Sequence, residues 1–94
     1  MKNENQFSSE AHSHSLSEIQ PGAECEVTDV DLEDAAGRRM LDLGFIPGTR
    51  VRVIRRAPMG DPSLYELRGY QLCLREADSR HVRVEKKIPK EQPH

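Results

Sequence analysis

The sequence predicts a mainly β fold, a small five-stranded barrel with one or two short helices, one of them inserted after the first strand. Short runs of alternating apolar and polar residues are separated by turns rich in glycine and proline, which is typical of short strands. One segment instead repeats its apolar residues at helical spacing. A chain of 94 residues is long enough for one small domain, which excludes a two-domain enzyme.

The two ends of the chain differ in composition from the middle. Residues 1–15 are rich in serine, histidine and acidic or amide side chains, with one isolated Phe7, which predicts a disordered tail. Residues 87–94 combine two prolines with several charges and predict a flexible C-terminal tail. We therefore expect the folded domain to span residues 16–86.

The first strand is predicted over residues 24–30, after a Pro-Gly turn. Leu16 and Ile19 precede this turn, and we expect the side chains of both to pack into the core. The alternation in the strand predicts that Cys25 and Val27 point inward and that Val30 points outward.

A helix is predicted to begin at Asp31, which is a good N-cap residue, with Asp34 as the third residue of its first turn. Gly44 is expected to end it in a left-handed conformation. Leu41 does not lie on the predicted buried stripe. Four residues spaced by four, four and three positions form that stripe: Leu32, Ala36, Met40 and Leu43.

The second half of the chain predicts the remaining strands. The alternation of residues 49–54 breaks at Ile54, which indicates a β-bulge or the end of the strand. Residues 63–67 and 70–75 flank Arg68–Gly69 and predict a tight hairpin. Its inward side chains are expected to be Tyr65, Leu67, Tyr70, Leu72 and Leu74. A polar turn over 76–80 and a strand over 81–85 complete an SH3-like barrel, since an open sheet would leave unprotected edges.

Charge and hydropathy restrict the partners. Sixteen acidic and fourteen basic residues give a net charge of -2, and the arginines are balanced locally by acids, so we expect no nucleic-acid binding. No run approaches the roughly 18 apolar residues of a membrane span, and the N-terminus lacks the apolar core of a secretory signal. We expect a cytoplasmic protein without a membrane span.

The sequence offers little for catalysis or tight metal binding. His81 is the one histidine of the predicted domain, so no nucleophile–base arrangement is expected and the chain is not predicted to be an enzyme. Cys25 and Cys73 form no CxxC motif, and Cys73 is expected to face away from Cys25. We predict no required cofactor and at most weak binding of a transition-metal ion such as Fe2+ or Zn2+. The N-terminal tail offers ligands of that kind: Glu10, His12 and His14.

Three motifs occur in one order along the chain: RMLDLGFIPGT over residues 39–49, APMGDP over 57–62 and RGYQLCLR over 68–75. Together they resemble the FeoA family of bacterial ferrous-iron transport accessory proteins, across about residues 16–85. The resemblance implies an SH3-like regulatory protein in the cytoplasm. It also implies a partner, the membrane iron permease FeoB, whose cytosolic region bears a GTPase domain and would recruit the chain to the inner face of the membrane.

The apolar residues around the helix end are the predicted partner contact, because we expect their side chains to be exposed to solvent beside two arginines. The residues assigned to this contact are Leu41, Leu43, Phe45 and Met59, with Arg38 and Arg39 as rim charges. Three alternatives stay open: Phe45 caps the barrel, Leu41 lies under a loop, and Met59 packs against Tyr65. The alternative function is a free-standing transition-metal sensor or chaperone, and weak self-association also stays open.

Overall fold

The computed structural model describes residues 13–87, in which six strands form one antiparallel sheet in the order β1-β6-β2-β3-β4-β5. The strands are β1 His14–Ser15, β2 Glu24–Val30, β3 Arg50–Arg56, β4 Ser63–Leu67, β5 Tyr70–Leu74 and β6 Val82–Lys87. A 3₁₀ turn spans Leu16–Glu18, and two helices follow, α1 Ala35–Asp42 and α2 Glu76–Ser79. Most of both predicted tails, residues 1–12 and 88–94, lies outside the described residues.

The sheet has six strands where five were predicted, and within residues 13–87 its hydrogen-bonded order ends at β1 and at β5. It is therefore an open sheet, and the five-stranded barrel is not confirmed. The additional strand is β1, which we had assigned to the tail and which pairs with β6 through His14 opposite Val84 and Ser15 opposite Arg83. Because of β1, helix α1 follows the second strand in the chain and not the first.

Bulges in β2 and β3 determine which side chains reach the core. The register of β2 against β6 shifts between Val27 and Asp29, so Val30 is buried and the prediction that it points outward is wrong. The reason is physical, since one extra residue in a strand reverses the facing of every residue after it. The register of β3 against β4 shifts between Val53 and Arg55, which confirms the bulge predicted at Ile54.

The hairpin of β4 and β5 is confirmed, with a two-residue turn at Arg68–Gly69. Both turn residues have positive φ, 48° and 86°, as the turn types that suit the strand twist require. Tyr65 is buried as predicted. Tyr70 was predicted to point inward and is 41% exposed, because it begins β5 and its hydroxyl reaches the end of α1.

Helix α1 begins later than the sequence predicts. Its N-cap is Asp34, whose side chain accepts a hydrogen bond from the Ala36 N–H at 2.9 Å, whereas Asp31 lies in the preceding turn. Leu32 therefore precedes the helix and is 54% exposed, so its placement on the buried stripe is wrong. Met40 is buried as predicted, and Gly44 follows the helix with φ 112°, which confirms its left-handed conformation.

The core is one cluster that contains residues of both halves of the chain and one side of the sheet. Cys25 points into it and Cys73 is exposed, as predicted, and both are free thiols. Its buried members are Leu16, Ile19, Cys25, Val27, Val30, Met40, Phe45, Val51, Val53, Tyr65, Leu67, Leu74, Val82 and Val84. Over the part of the chain that the structure describes, neither helix has the length and apolar composition to cross a membrane.

Candidate functional site

The end of helix α1 carries a small apolar surface, which we call the helix-end surface and define as Leu43, Ile46 and Tyr70. Ile46 and Tyr70 are 43% and 41% exposed, and Leu43 is half-buried. The Tyr70 hydroxyl donates a hydrogen bond to the backbone carbonyl of Leu43. This bond places the first residue of β5 against the helix end, so residues distant in the sequence share one surface.

Gly44 lies at the centre of this arrangement. A Cβ atom at this position would lie 3.5 Å from the Tyr70 hydroxyl oxygen and 3.5 Å from Cδ of Arg68, which is ordinary contact. Its φ of 112° is the stricter requirement, because side-chain-bearing residues rarely adopt it. The Gly44 carbonyl also accepts a hydrogen bond from the Ile46 N–H at 2.8 Å, which turns the chain toward the next strand.

Phe45, one of the predicted partner contacts, has no exposed surface and belongs to the core. Its N–H donates to the Met40 carbonyl at 3.1 Å, which pulls the residue after Gly44 beneath the helix. The ring is therefore not available to a partner. Phe45 was assigned to the contact from its position near the helix end, and that position did not show which way the side chain points.

The other predicted apolar contacts lie in different places. Leu41 and Leu43 are half-buried and pack against the core from the end of α1. Met59 is 88% exposed in the loop between β3 and β4. That loop is held by Asp61, whose carboxylate accepts a hydrogen bond from the Glu76 N–H at 2.8 Å and so links the loop to helix α2.

The two predicted rim arginines are exposed and make local contacts. Arg38 donates through Nη1 to the Leu32 carbonyl at 2.9 Å, toward the start of the helix. Arg39 forms an ion pair with Asp78 at 3.1 Å, which joins α1 to α2. Exposed pairs of this kind contribute about 1 kcal/mol or less.

The six predicted contact residues differ in exposure, since Phe45 is buried, Leu41 and Leu43 are half-buried, and Met59 and the two arginines are exposed. Two members of the helix-end surface, Ile46 and Tyr70, were not among them. Ile46 belongs to the first of the three motifs but was not assigned to the contact, although it directly precedes a Pro-Gly turn. Tyr70 was assigned inward from strand alternation alone. Its position directly after a tight turn, where a strand is least constrained, was the available signal.

Within residues 13–87, one group of three metal-ligating side chains comes together, formed by Asp31, Asp34 and His81. One ligand atom of each residue lies within 4.8 Å of the others. His81 Nδ1 is 3.3 Å from Asp31 Oδ2, and Nε2 is 3.9 Å from Asp34 Oδ1. The sequence missed this group because both aspartates were read as helix-capping residues and His81 lies far along the chain.

The ligands predicted in the N-terminal tail are only partly described. His14 Nδ1 lies 3.5 Å from a carboxylate oxygen of Glu18, while Glu10 and His12 lie outside the described residues. Cys25 is buried, whereas Cys73 is exposed. The Cys25 thiol donates a hydrogen bond to the Val51 carbonyl at 3.6 Å. Burial, with a smaller contribution from Glu24, raises the pKa of Cys25 to about 12, so the thiol stays protonated and binds metal poorly.

Comparison with known proteins identifies the family. The family model of the FeoA domain matches residues 14–86, which is more than half of the chain. The chain belongs to the FeoA family. The six-stranded antiparallel sheet with two short helices is thus the form that this FeoA chain takes over its described residues.

Relatives of the FeoA chain are known from sequence and from structure. The Fe(2+) transport protein A/Fe(2+) transporter FeoB fusion protein of Porphyromonas gingivalis is 31% identical over 70 residues, which are 74% of this chain and 8% of that relative. This chain therefore spans only a small part of that relative's length.

Two solved FeoA structures share the fold. The FeoA-like protein of Clostridium acetobutylicum is 30% identical, with a TM-score of 0.79 and coverage of 88% of this chain and 96% of that one. The FeoA of Stenotrophomonas maltophilia, an SH3 domain protein complexed with zinc, is 31% identical, with a TM-score of 0.68 and coverage of 76% and 88%.

Proposed function

We propose that this chain is an accessory protein of bacterial ferrous-iron transport that binds the cytosolic side of a FeoB-type permease. The observation that carries this proposal is the fusion relative, in which a segment similar to this chain is covalently joined to a FeoB transporter. A covalent link keeps two domains at high effective concentration, and separate chains achieve the same association by binding each other. The chain acts in the cytoplasm and reaches the inner face of the membrane through the permease.

The helix-end surface is the proposed contact. Ile46 and Tyr70 are partly exposed large side chains, and aromatic anchors carry much of the energy of protein interfaces. The hydrogen bond from Tyr70 to Leu43 holds the ring in place before binding, which reduces the entropy lost on association. Leu41 and Phe45 pack into the core next to this surface, and the Arg68 side chain lies close to Gly44 at its edge.

The proposal is tested by titrating the full chain with the cytosolic region of the candidate permease, with and without guanine nucleotide. Ile46→Glu is expected to weaken binding at least tenfold, because it places a charge in the apolar contact. Leu32→Glu is the matched control, since Leu32 is a similarly exposed aliphatic residue at the other end of α1. Equal affinity of the two variants would reject the helix-end surface, and absence of binding by the wild type would reject the function.

The loop that carries Met59 is tested separately. Met59 was a predicted contact and is 88% exposed, so Met59→Glu keeps the fold and removes an adaptable apolar side chain. We expect a loss of binding smaller than that of Ile46→Glu. The opposite order of effects would move the contact to this loop and leave the proposed association with the permease intact.

A transition-metal ion is proposed as a weak ligand and not as a required cofactor. The zinc complex of the Stenotrophomonas maltophilia relative supports this part of the proposal. An anaerobic arm with Fe2+ distinguishes the alternative function: an accessory protein binds the permease region without iron. A free-standing metal sensor or chaperone would bind one equivalent of Fe2+ and would not bind the permease region.

A further inference from the structure

The Asp31, Asp34 and His81 side chains are held in place by the backbone around them. Asp31 N–H donates to the His81 carbonyl at 3.0 Å, which fastens the turn before α1 to the start of β6. One oxygen of each carboxylate is fixed by a backbone N–H, Asp31 Oδ1 by Glu33 at 3.2 Å and Asp34 Oδ1 by Ala36 at 2.9 Å. The three side chains are therefore oriented toward one another before any ligand binds.

Gly37 makes this convergence sterically possible. A Cβ atom at position 37 would lie 1.8 Å from the backbone oxygen of Asp31, far inside contact distance. The absence of a side chain lets the turn that carries Asp31 lie directly against helix α1. His81, whose side chain is only 14% exposed, then fills the space beside both carboxylates.

The group offers ligand atoms of the kinds that bind cations. His81 Nδ1 lies 3.3 Å from Asp31 Oδ2 and Nε2 lies 3.9 Å from Asp34 Oδ1, so the ring lies beside both carboxylates. An ion binds only one ring nitrogen, so the imidazole supplies one ligand atom and each carboxylate supplies another.

We propose that Asp31, Asp34 and His81 bind a divalent first-row transition-metal ion. Two ligands that each lie about 2.1 Å from an ion are separated by at most about 4.2 Å. One ligand atom of each residue lies within 4.8 Å of the others, slightly wider than this limit, and rotation of the two exposed carboxylates closes the difference. One imidazole with two carboxylates suits Mn2+, Fe2+, Co2+ or Zn2+, since an imidazole ligand disfavours Mg2+ and Ca2+.

This site is separate from the proposed partner contact. Asp34 caps the start of α1 and Leu43 follows its end, and eight helical residues span about 12 Å. Metal binding at one end and partner binding at the other therefore succeed or fail independently.

The experiment is a titration of the 15N-labelled full chain with Mn2+, followed by NMR line broadening, with Zn2+ competition measured by calorimetry. We expect broadening centred on residues 31–36 and 80–82, reversed by excess Zn2+. Asp34→Asn is the most informative variant, because asparagine caps a helix as well as aspartate but is a poorer ligand. Asp34→Asn and His81→Gln are each expected to weaken Zn2+ binding at least tenfold at this site.

His14→Ala is the matched control, since it removes a histidine that also lies beside a carboxylate, that of Glu18, but belongs to no group of three ligands among residues 13–87. Its effect on the signals of residues 31–36 is expected to be nil. Broadening confined to the N-terminal tail, or unchanged broadening in both Asp34→Asn and His81→Gln, would overturn the proposal. Dispersed amide spectra of the variants establish that they remain folded.

Discussion

The hydroxyl of Tyr70, the first residue of β5, donates a hydrogen bond to the backbone carbonyl of Leu43 at the end of helix α1. The last carbonyls of a helix have no partner within it, so a side chain from elsewhere satisfies one of them here. Both residues belong to the surface proposed for partner binding. The same contact therefore ends the helix and positions the surface.

Tyr70→Phe is expected to lower the free energy of unfolding by about 1 kcal/mol, because it removes one hydrogen bond at a partly exposed site. The change is measured by urea denaturation, with amide shifts of Leu43 and Gly44 as the local signal. Tyr70→Ala should cost more, since it also removes the apolar ring. Equal stability of Tyr70→Phe and the wild type would show that water replaces the hydroxyl without loss.

Gly37→Ala is expected to destabilise the fold by at least about 2 kcal/mol, although alanine is favoured over glycine inside helices by about 1 kcal/mol. The added Cβ would lie 1.8 Å from the Asp31 carbonyl oxygen, so helix and turn must separate. Urea denaturation measures the loss.

Gly22→Ala is the control for Gly37→Ala, because position 22 has φ 91° and no atom within 4 Å of the added Cβ. Gly22→Ala should lower the free energy of unfolding by only about 1 kcal/mol, which is the cost of a positive φ for a residue with a side chain. If the two variants lose equal stability, the contact with Asp31 is not the reason for glycine at position 37.

Local signals were sufficient to predict some elements. The hairpin around Arg68–Gly69 and the bulge at Ile54 both follow from short-range turn chemistry and from a break in strand alternation, and both are confirmed. The left-handed conformation of Gly44 was also predicted, since helices commonly end at a glycine of this kind directly after their last buried residue. Each of these features depends on neighbouring residues only.

Features that depend on distant residues were not predicted. Asp31 and Asp34 are both good capping residues, and no spacing rule shows that Asp34 is the N-cap or that Gly37 lies against the Asp31 carbonyl. The Val30 side chain points inward because of a bulge in β2, which is visible only in the pairing of β2 with β6. The group of Asp31, Asp34 and His81 was not predicted for the same reason, because only the folded structure brings His81 next to the two aspartates.

Cys25 is expected to resist thiol reagents in the folded protein, whereas Cys73 is exposed and should react. Titration with a disulfide reagent at pH 8 should therefore modify one thiol per native chain and a second after denaturation. Cys73→Ser is the control and should abolish the fast reaction. Rapid modification of two thiols in the native protein would contradict the buried position of Cys25.

The same residue predicts a pH dependence of stability. Burial raises the pKa of Cys25 from 9.0 to about 12, so between these values the unfolded thiol loses its proton while the folded one keeps it. The unfolded state then binds fewer protons, and stability falls as pH rises from 9 toward 12. Cys25→Ala should be less stable at neutral pH but show a flatter decline above pH 9; an identical slope would contradict the assignment.

Ser79 is expected to be a position where removing a polar group does little harm. Its hydroxyl oxygen is buried and has no hydrogen-bond partner among the protein atoms that the structure describes. A buried hydroxyl without a partner costs about 1–3 kcal/mol, so Ser79→Ala should leave stability unchanged or raise it. Urea denaturation is the measurement.

Ser63→Ala is the matched control, because the buried Ser63 hydroxyl accepts a hydrogen bond from Arg56 Nε at 2.9 Å. This variant leaves a charged, half-buried donor with one partner fewer, while the bond from Arg56 to the Ile19 carbonyl remains. We expect Ser63→Ala to lose about 1–3 kcal/mol where Ser79→Ala loses none. A loss in Ser79→Ala as large as that in Ser63→Ala would show that the Ser79 hydroxyl does have a partner, such as an ordered water.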